Sequence, residues 1–375
     1  MAYRSWSLNG EWFTANDLFY NHYRRFMSGL RKKIRIKEII QETKNCKTFI
    51  LEFPEGIDPG YKAGQFLTFI FDTPYGEQRR NYSLSSSPDR QEPVSITIKR
   101  IPNGVFSRKM IDATKPGDWM TTIGASGFFT LPGDMSNYSQ LFLLAAGSGI
   151  TPVFSLLKTV LYKFSHINVV LIYSNHSKED TIFYNALQQL EIQYPQQLQV
   201  EWLFSNQFDH TKARLSNWLL GELLKKYMVE PLSACLFYIC GPFNYMRMIT
   251  ITLLSAGAKS ATIRKEEFVI TQPAIQLQPP DTTTRQVAVL LNEKTYQFSS
   301  GYPQTILQAA KKAGIELPYS CETGRCGTCA AVCTSGNVWM KYNEVLTEQD
   351  VKKGMVLTCT GYPVYGNAEL DFDAI

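Results

Sequence analysis

Four cysteines in the last sixth of the chain have the spacing of ligands to an iron–sulfur cluster. They are Cys321, Cys326, Cys329 and Cys359. The pattern C-x4-C-x2-C with a distant fourth cysteine is typical of [2Fe–2S] ligation. Gly324 and Gly327 stand within the loop, and glycine tolerates the positive φ that so tight a bend requires. We therefore predict a [2Fe–2S] cluster held by these four thiolates.

A zinc site or a pair of disulfides is the alternative to a cluster. Zinc knuckles favour two matched C-x2-C pairs, whereas the sequence has one, Cys326 with Cys329. Cys333 follows shortly after this pair, and we predict that it is not a ligand. The cysteines outside the four ligands show no disulfide-framework spacing. Together with thiolate ligands, they indicate a reducing compartment, and we expect the cytoplasm.

Composition and charge exclude several classes of protein. A length of 375 residues suits two or three domains. The net charge is +5, but residues 1–37 hold eight basic and two acidic side chains. The rest of the chain therefore lacks the basic excess of a nucleic-acid-binding domain, and we expect no nucleic acid partner. We find no secretory signal pattern and no apolar run of the ~18 residues that a membrane span needs.

A β-rich region and then an α/β region precede the cysteine loop. Residues 31–133 alternate β-rich runs with Gly/Pro turns, which predicts an antiparallel barrel. Residues 134–271 alternate apolar strands with amphipathic helices, including a helix over Thr181 to Gln193, and predict a parallel sheet covered on both faces. Residues 272–284 form a Pro/Thr-rich linker. Residues 285–375 begin with two strands and a helix before the cysteine loop.

The tetrapeptide Arg80-Asn81-Tyr82-Ser83 ends a predicted barrel strand and carries the groups that a flavin needs. The arginine offers a cation for the phosphate, the tyrosine an aromatic ring beside the isoalloxazine, and the serine a hydroxyl near N5. Side chains alternate along an extended backbone, so these groups are spaced in a fixed order. Alone, such a tetrapeptide is also compatible with an ordinary strand.

A second stretch of the barrel supplies further candidate flavin ligands. These residues are Ile98, Lys99, Arg100, Gly104, Val105 and Ser107. We expect them to complete a diphosphate site, with Ser107 opening a helix whose N-terminal amides face an anion.

Two glycine turns at strand ends of the α/β region predict a dinucleotide site. The first contains Gly147, Ser148, Gly149, Thr151 and Pro152. It is not a complete G-x-G-x-x-G fingerprint, so a structural turn is the alternative. Cys240, Gly241 and Pro242 follow another strand of the same region. Parallel sheets bind ligands outside the carboxyl ends of their strands, and two such ends favour a nicotinamide pocket. A plain buried cysteine is the alternative for Cys240, but we favour a role in the pocket.

These motifs together resemble the ferredoxin–NADP reductase superfamily. More narrowly, the chain is similar to three-part oxygenase reductases of the phenylacetyl-CoA epoxidase and ketosteroid hydroxylase types. The resemblance covers Ile34 to Phe372 and includes Tyr245-Met246 and Lys265-Glu266-Glu267-Phe268. It implies a multidomain fold: an antiparallel β-barrel flavin domain, an α/β parallel-sheet nucleotide domain and an α+β, β-grasp ferredoxin domain.

The resemblance also implies roles for particular residues. Arg80 binds the flavin phosphate, and Tyr82 and Ser83 contact the ring system. Asn81 belongs to the cofactor-binding set. Thr151 lies at the flavin–nicotinamide junction, and Cys240 lies near nicotinamide C4 with Glu266 close by. The expected catalytic set is therefore Ser83, Thr151, Cys240 and Glu266, and Met246 joins the cofactor-binding set. FAD is expected rather than FMN.

The choice between NADPH and NADH rests on the second strand of the nucleotide domain. Where relatives often have an arginine for a 2′-phosphate, this chain has Ser174, Asn175 and His176. His176 and Lys178 offer cationic or donor groups, and no acidic side chain stands at the strand end. We favour NADPH on this basis.

The expected activity is electron transfer from NAD(P)H to an oxygenase. A hydride passes to the flavin, and the [2Fe–2S] cluster delivers single electrons to a terminal oxygenase or hydroxylase. The alternative acceptors are a membrane fatty-acyl desaturase and a small carrier protein. A redox sensor or interaction protein without turnover is the alternative from another class, but the intact motifs argue against it.

Residues 1–30 form an aromatic and basic extension that the family core does not need. Phe19, Tyr23, Phe26 and Leu30 follow helical spacing. Such a helix could make a peripheral membrane contact. Polar residues interrupt its apolar face, so we favour packing against the barrel or a second subunit.

Overall fold

The computed structural model describes residues 5–8, 11–14, 31–55, 59–74, 76–207, 213–268 and 277–375. Strands β1 (Ser5–Leu8) and β2 (Glu11–Thr14) pair in antiparallel fashion. The helix predicted around Phe19 to Leu30 lies outside the described residues. No helix in the described ranges combines the length and apolar character needed to cross a membrane.

A six-stranded antiparallel sheet follows, as predicted. Its strands are β3 (Lys32–Thr43), β4 (Cys46–Glu52), β5 (Phe66–Thr73), β6 (Gly76–Ser83), β7 (Ser95–Lys99) and β8 (Trp119–Ser126). They lie in the order β6-β5-β8-β3-β4-β7. A β-bridge between Leu84, which follows β6, and Ile96 of β7 joins the two outermost strands and closes the barrel. Inward side chains such as Ile34, Phe49 and Phe69 fill it.

A short helix, α1 (Val105–Arg108), continues as a π-helical turn and covers one end of the barrel. Ser107 is the third residue of α1 and does not open it, which corrects the prediction. Its hydroxyl accepts a hydrogen bond from the Ile101 amide and donates one to the Gly104 carbonyl oxygen. The side chain therefore stabilises its own turn.

The second sheet is parallel, as its alternating pattern predicted. Its strands are β9 (Gln140–Ala146), β10 (Asn168–Asn175), β11 (Leu198–Phe204), β12 (Cys235–Cys240) and β13 (Ile263–Glu266). They lie in the order β11-β10-β9-β12-β13. Helices α2 (Ile150–Lys163) and α3 (Tyr184–Gln193) pack on one face, and α4 (Asn217–Tyr227) and α5 (Phe243–Ser255) on the other.

Helix α3 begins three residues later than predicted, at Tyr184 instead of Thr181. Phe183, the residue before it, has a left-handed φ of 62° and is buried against Phe154 with ring centroids 4.3 Å apart. Packing of this ring therefore overrides the local helical pattern.

The last domain is a mixed five-stranded sheet with a helix packed on it, the predicted α+β arrangement. Its strands, in the order β15-β14-β20-β16-β18, are β15 (Lys294–Ser300), β14 (Arg285–Leu291), β20 (Ala368–Asp371), β16 (Ala330–Ser335) and β18 (Met355–Leu357). Strands β17 (Val338–Met340) and β19 (Gly361–Pro363) form a separate pair. Helices α6 (Ile306–Lys312) and α7 (Glu348–Lys352) each begin with a capping box.

Helix α2 fixes the parallel sheet against the barrel. Thr159 on α2 shares a hydrogen bond of 2.7 Å with Ser87. Lys158 forms an ion pair with Glu92, and both side chains are largely buried. These contacts hold the carboxyl ends of β9 and β12 opposite the end of β6, where the cofactor motifs lie.

Candidate functional site

The cysteine loop precedes β16 and bends at two glycines. Gly324 has φ of +78° and Gly327 φ of +75°, which confirms the predicted need for glycine. A Cβ at Gly324 would lie 2.7 Å from the Tyr342 carbonyl oxygen, and one at Gly327 would lie 2.4 Å from a ring carbon of Phe128. Neither position can carry a larger residue without displacing its neighbour.

The four predicted ligands come together as two pairs of thiols. The Cys321 amide donates to the Cys326 sulfur at 3.5 Å, and the Thr323 amide donates to the Cys321 sulfur at 3.4 Å. A hydrogen bond from the Cys326 thiol lowers the pKa of Cys321. A hydrogen bond to Cys329, followed by burial, raises the pKa of Cys359 well above its ordinary value.

The pairing of thiols is the arrangement that a binuclear cluster needs. A [2Fe–2S] cluster spreads four cysteines over two irons. Cys321 with Cys326, and Cys329 with Cys359, supply two thiols each, so the arrangement fits the predicted cluster.

Cys333 lies outside this group. It stands in β16, and its thiol donates to the carbonyl oxygens of Ser335 and Gly336 at 3.3 and 3.7 Å. This placement supports the prediction that Cys333 is not a ligand.

A cavity of about 1400 Å³ lies between the barrel and the parallel sheet. Most of the predicted flavin and nucleotide residues line it: Arg80, Asn81, Tyr82, Ser83, Ile98, Lys99, Gly104, Val105, Ser107, Gly147, Ser148, Gly149, Thr151, Ser174, Asn175, His176, Gly241 and Pro242. The structure thus brings the flavin tetrapeptide and both glycine turns to one site, which is large enough for two cofactors.

Several predicted residues lie outside this lining. Arg100 is turned away and pairs with Asp112 at 3.0 Å. Pro152 is buried in the first turn of α2. Met246 is buried in the packing between α5 and the sheet, so its side chain does not reach the cavity. Cys240 and Glu266 lie just behind the lining and are described below.

The flavin side of the cavity is built on β6. The Arg80 guanidinium lies 4.4 Å from the centroid of the Phe106 ring, and this contact fixes its direction. The Tyr82 ring packs beside Phe69 with centroids 5.8 Å apart, and burial raises the pKa of Tyr82. Arg80 and Tyr82 therefore face the same side of β6.

The two glycine turns pack against each other where they line the cavity. A Cβ at Gly149 would lie 2.1 Å from the Cys240 carbonyl oxygen, so only glycine lets the turns after β9 and β12 meet. A Cβ at Gly241 would lie 2.9 Å from the Tyr245 ring. The Thr151 hydroxyl donates to the Ser148 carbonyl oxygen at 3.0 Å and closes the first turn. These residues fit a nicotinamide dinucleotide.

Ser83 and Glu266 meet where the barrel touches the parallel sheet. The Ser83 hydroxyl donates to Glu266 Oε1 at 3.1 Å, and Glu266 Oε2 is buried without a protein partner. Burial raises the pKa of Glu266 to about 8, although the hydrogen bond from Ser83 opposes the shift. Cys240 is 1% exposed, and burial followed by the charge of Glu266 raises the pKa of its thiol well above normal. The site therefore holds an acid that is protonated at neutral pH.

The far end of the cavity holds the predicted His176 together with side chains that the sequence analysis missed. His176 Nδ1 lies 3.2 Å from the Ser205 hydroxyl, and Arg214 and Asp180 also line this end. Lys178 lies outside the lining, with its ammonium 4.7 Å from the centroid of the Tyr184 ring. No sequence motif marks Arg214, because a long connection separates it from β11.

Phe268 and Glu267 also line the cavity without having been predicted as site residues. They directly follow Glu266, whose motif Lys265-Glu266-Glu267-Phe268 was the available signal. Phe268 is 45% exposed, which leaves its ring free to cover a ligand.

Three family profiles match successive parts of the chain. The oxidoreductase FAD-binding domain matches residues 33–131, and the oxidoreductase NAD-binding domain matches residues 143–250. The 2Fe-2S iron-sulfur cluster binding domain matches residues 289–364. These matches confirm the predicted FAD, nicotinamide and [2Fe–2S] cofactors.

Relatives with all three domains align over nearly their whole length. The ferredoxin reductase component of 3-ketosteroid-9-alpha-monooxygenase from Mycolicibacterium smegmatis is 32% identical, over 91% of this chain and 97% of the relative. One component of the 1,2-phenylacetyl-CoA epoxidase of Escherichia coli is 28% identical, over 91% and 97%. The structure of phthalate dioxygenase reductase shares the fold, with a TM-score of 0.57 and 24% identity over 92% of this chain and 99% of that one.

Substitutions at two cysteines test the ligand set. We expect Cys333→Ser to retain about two irons per chain, because its thiol faces backbone carbonyls of its own strand. Cys326→Ser should lose the cluster but keep reduction of the flavin by NAD(P)H. Iron analysis and visible absorption after anaerobic purification measure both. Loss of iron from Cys333→Ser, or zinc in the wild-type protein, would show that the ligand set is wrong.

Proposed function

The chain belongs to the family of flavin- and [2Fe–2S]-dependent ferredoxin reductase components of oxygenases, and we propose that Ser83, Thr151, Cys240 and Glu266 form its hydride-transfer site. The protein is an oxidoreductase that carries electrons from NAD(P)H through FAD and a [2Fe–2S] cluster. The shared cavity carries the proposal, because it joins the flavin tetrapeptide to glycine turns at two strand ends. We place the domain boundaries at residues 31–133, 134–271 and 285–375.

When bound, FAD takes up a hydride from NAD(P)H and gives back two single electrons and one proton, while the [2Fe–2S] cluster carries one electron at a time. Arg80 would hold the flavin phosphate, and Tyr82 would lie beside the ring system. Gly149 and Gly241 let the turns after β9 and β12 pack together beside the cavity that would hold the nucleotide. The exposed Phe268 ring would cover the flavin until a nicotinamide replaces it.

Glu266 and Ser83 would exchange a proton with the bound cofactor. The buried carboxyl keeps its proton at neutral pH, since burial raises its pKa to about 8. Ser83 connects it to the cavity through a 3.1 Å hydrogen bond. A neutral acid behind a hydroxyl can exchange a proton with a cofactor without placing a net charge in the pocket.

A terminal oxygenase is the acceptor that the relatives support. Curated relatives are named as the reductase component of a ketosteroid monooxygenase and as part of a phenylacetyl-CoA epoxidase. We propose the same class of partner here. A desaturase or small carrier as acceptor, and membrane contact through residues 1–30, stay predictions from the sequence.

Steady-state oxidation of NAD(P)H tests the proposed function. We expect rapid turnover with ferricyanide, which takes electrons from the flavin, and with cytochrome c, which takes them through the cluster. The Cys326→Ser variant is the matched control and should keep the first activity and lose the second. Bound flavin without turnover in either assay would favour a redox sensor instead.

The raised pKa of Glu266 predicts a pH dependence. Glu266→Gln cannot ionise, so we expect it to reduce the flavin at close to the wild-type rate at pH 7. Above its pKa, wild-type Glu266 would place a negative charge beside the flavin and oppose the arriving hydride. The wild-type rate should fall as pH rises through about 8, and the variant should lack this inflection. Stopped-flow flavin absorbance between pH 6 and 10 measures both.

Stability gives an independent check on Glu266. Its folded pKa of about 8 lies above the ordinary value of 4.5. Between these values the folded state binds the extra proton, so its contribution to stability is lost as pH rises through about 8. The wild type should therefore become less stable relative to Glu266→Gln over this range. If the stability of Glu266→Gln shows the same pH dependence as the wild type, the titrating group is not Glu266.

Arg214 and Asp180 decide the choice of nucleotide. We favour NADPH, because an arginine can bind a 2′-phosphate with two hydrogen bonds. Arg214→Ala should lower kcat/KM for NADPH about tenfold, or ~1.4 kcal/mol, with a smaller change for NADH. Lys178→Ala is the control, since its ammonium lies over Tyr184 outside the cavity. A tenfold wild-type preference for NADH would show that Asp180 dominates.

A further inference from the structure

Strand β6 presents its two faces to different parts of the molecule. Arg80 and Tyr82 face the flavin cavity, with Arg80 over the Phe106 ring. The odd-numbered side chains Glu77, Arg79 and Asn81 lie on the opposite face, and Arg79 and Asn81 contact the ferredoxin domain. Asn81 also lines the cavity. We call these three residues the docking strip. It belongs to the same strand that would hold the flavin.

Arg79 is the central residue of the docking strip. Its Nη2 donates to Glu316 Oε1 at 2.7 Å, its Nη1 to the Tyr319 carbonyl oxygen at 2.9 Å, and its Nε to Glu77 Oε1 at 2.7 Å. The guanidinium carbon lies 3.6 Å from the centroid of the Tyr319 ring. The side chains of Arg79 and Glu316 are only 4% and 6% exposed. Every nitrogen of the guanidinium is thus engaged, and two of the three reach across the domain boundary.

Further contacts surround the cysteine loop. The Ser320 hydroxyl donates to Asn81 Oδ1 at 2.6 Å, and Ser320 directly precedes the ligand Cys321. On the other flank, Ser126 and Thr328 share a hydrogen bond of 3.0 Å. Together with Arg79, these contacts hold both ends of the cysteine loop, which carries three of the cluster ligands.

The interface between β6 and the ferredoxin domain, which we call the joint, is polar and incompletely filled. A cavity of about 180 Å³, lined by Arg79, Glu316 and Thr328 among others, lies within it. Glu316 Oε2 is buried there without a protein partner. A buried ion pair adds little net stability compared with apolar packing, but it demands one geometry. Such a joint is suited to setting the position of a domain rather than to holding the fold together.

We propose that Arg79 is a positioning residue for electron transfer, and that it fixes the cysteine loop against the flavin strand through Glu316 and Tyr319. This rests on the proposed function, because it needs cofactors in both sites. Two electrons leave the reduced flavin one at a time for the cluster, and one proton is released to solvent. Arg79 takes no part in that chemistry. It sets the separation of the two sites, on which the rate of electron transfer depends steeply.

Rapid kinetics of the full-length protein loaded with FAD and cluster test the proposal. In Arg79→Ala we expect NAD(P)H to reduce the flavin at the wild-type rate, while reduction of the cluster slows at least about tenfold. Arg79→Lys should recover only part of the rate, since an ammonium lacks the planar fork that reaches three acceptors. Arg35→Ala is the matched control, because Arg35 is an exposed barrel arginine whose ion pair, with Glu52, stays within the barrel.

A structural readout separates domain position from activity. Small-angle X-ray scattering of Arg79→Ala should show a larger radius of gyration than the wild type, and the linker at 277–284 should be cut faster by protease. Glu316→Gln repeats the test from the ferredoxin side. It keeps the size of the side chain and covers the case in which Arg79→Ala does not fold.

The outcomes are distinguishable. Unchanged cluster reduction in Arg79→Ala or Glu316→Gln, or flavin and cluster reduction slowed by the same factor, would overturn the positioning role. Slower cluster reduction with unchanged scattering would also overturn it, since Arg79 would then act without moving the domain. A wild-type protein whose flavin is not reduced by NAD(P)H would instead refute the proposed function.

Discussion

The alternation of side chains along β6 is the constraint on which the cofactor arrangement depends. Successive residues of a strand point to opposite faces, so Arg80 and Tyr82 face the flavin cavity while Arg79 faces the ferredoxin domain. Asn81 contacts the ferredoxin domain and also lines the cavity. A register shift of one residue would exchange the two sets. The pairing of β5 with β6 prevents this, because it runs without interruption from Phe66 opposite Ser83 to Thr73 opposite Gly76.

Apolar packing and polar contacts have separate tasks in this molecule. The barrel, both faces of the parallel sheet and the ferredoxin domain each have a buried apolar cluster. Two of the largely buried ionisable pairs lie at the joints instead: Arg79 with Glu316, and Lys158 with Glu92. Apolar burial supplies most of the stability and is indifferent to direction. Buried polar groups need defined partners, so they fix how the domains are oriented.

The sequence predicted the features that one element or one turn determines. Cysteine spacing, glycine turns and the switch from β-rich runs to alternating strands and helices are local, and the structure agrees with them. Arg79 and Glu316 are 237 positions apart, and neither belongs to a motif. Arg214 and Asp180 reach the cavity only because β10 and β11 end beside each other. Such residues depend on how folded domains meet, which local spacing does not encode. Phe183 shows the same limit within a domain, because packing of its ring makes α3 begin later than the sequence pattern predicts.

The last residue of β13 and the two residues after it connect all three domains. Glu266 accepts a hydrogen bond from Ser83 of the barrel, and Phe268 lines the nucleotide cavity. Between them, Glu267 pairs with Arg325 of the cysteine loop at 3.0 Å. Arg325 directly precedes the ligand Cys326. The ferredoxin domain is therefore held by Arg79 and Asn81 at the flavin strand, by Ser126 of β8 and by Glu267 beside the proton-holding carboxyl. All of these contacts end between Glu316 and Thr328, a stretch that carries two cluster ligands and stops one residue before the third. They therefore fix the position of the cysteine loop relative to the flavin strand.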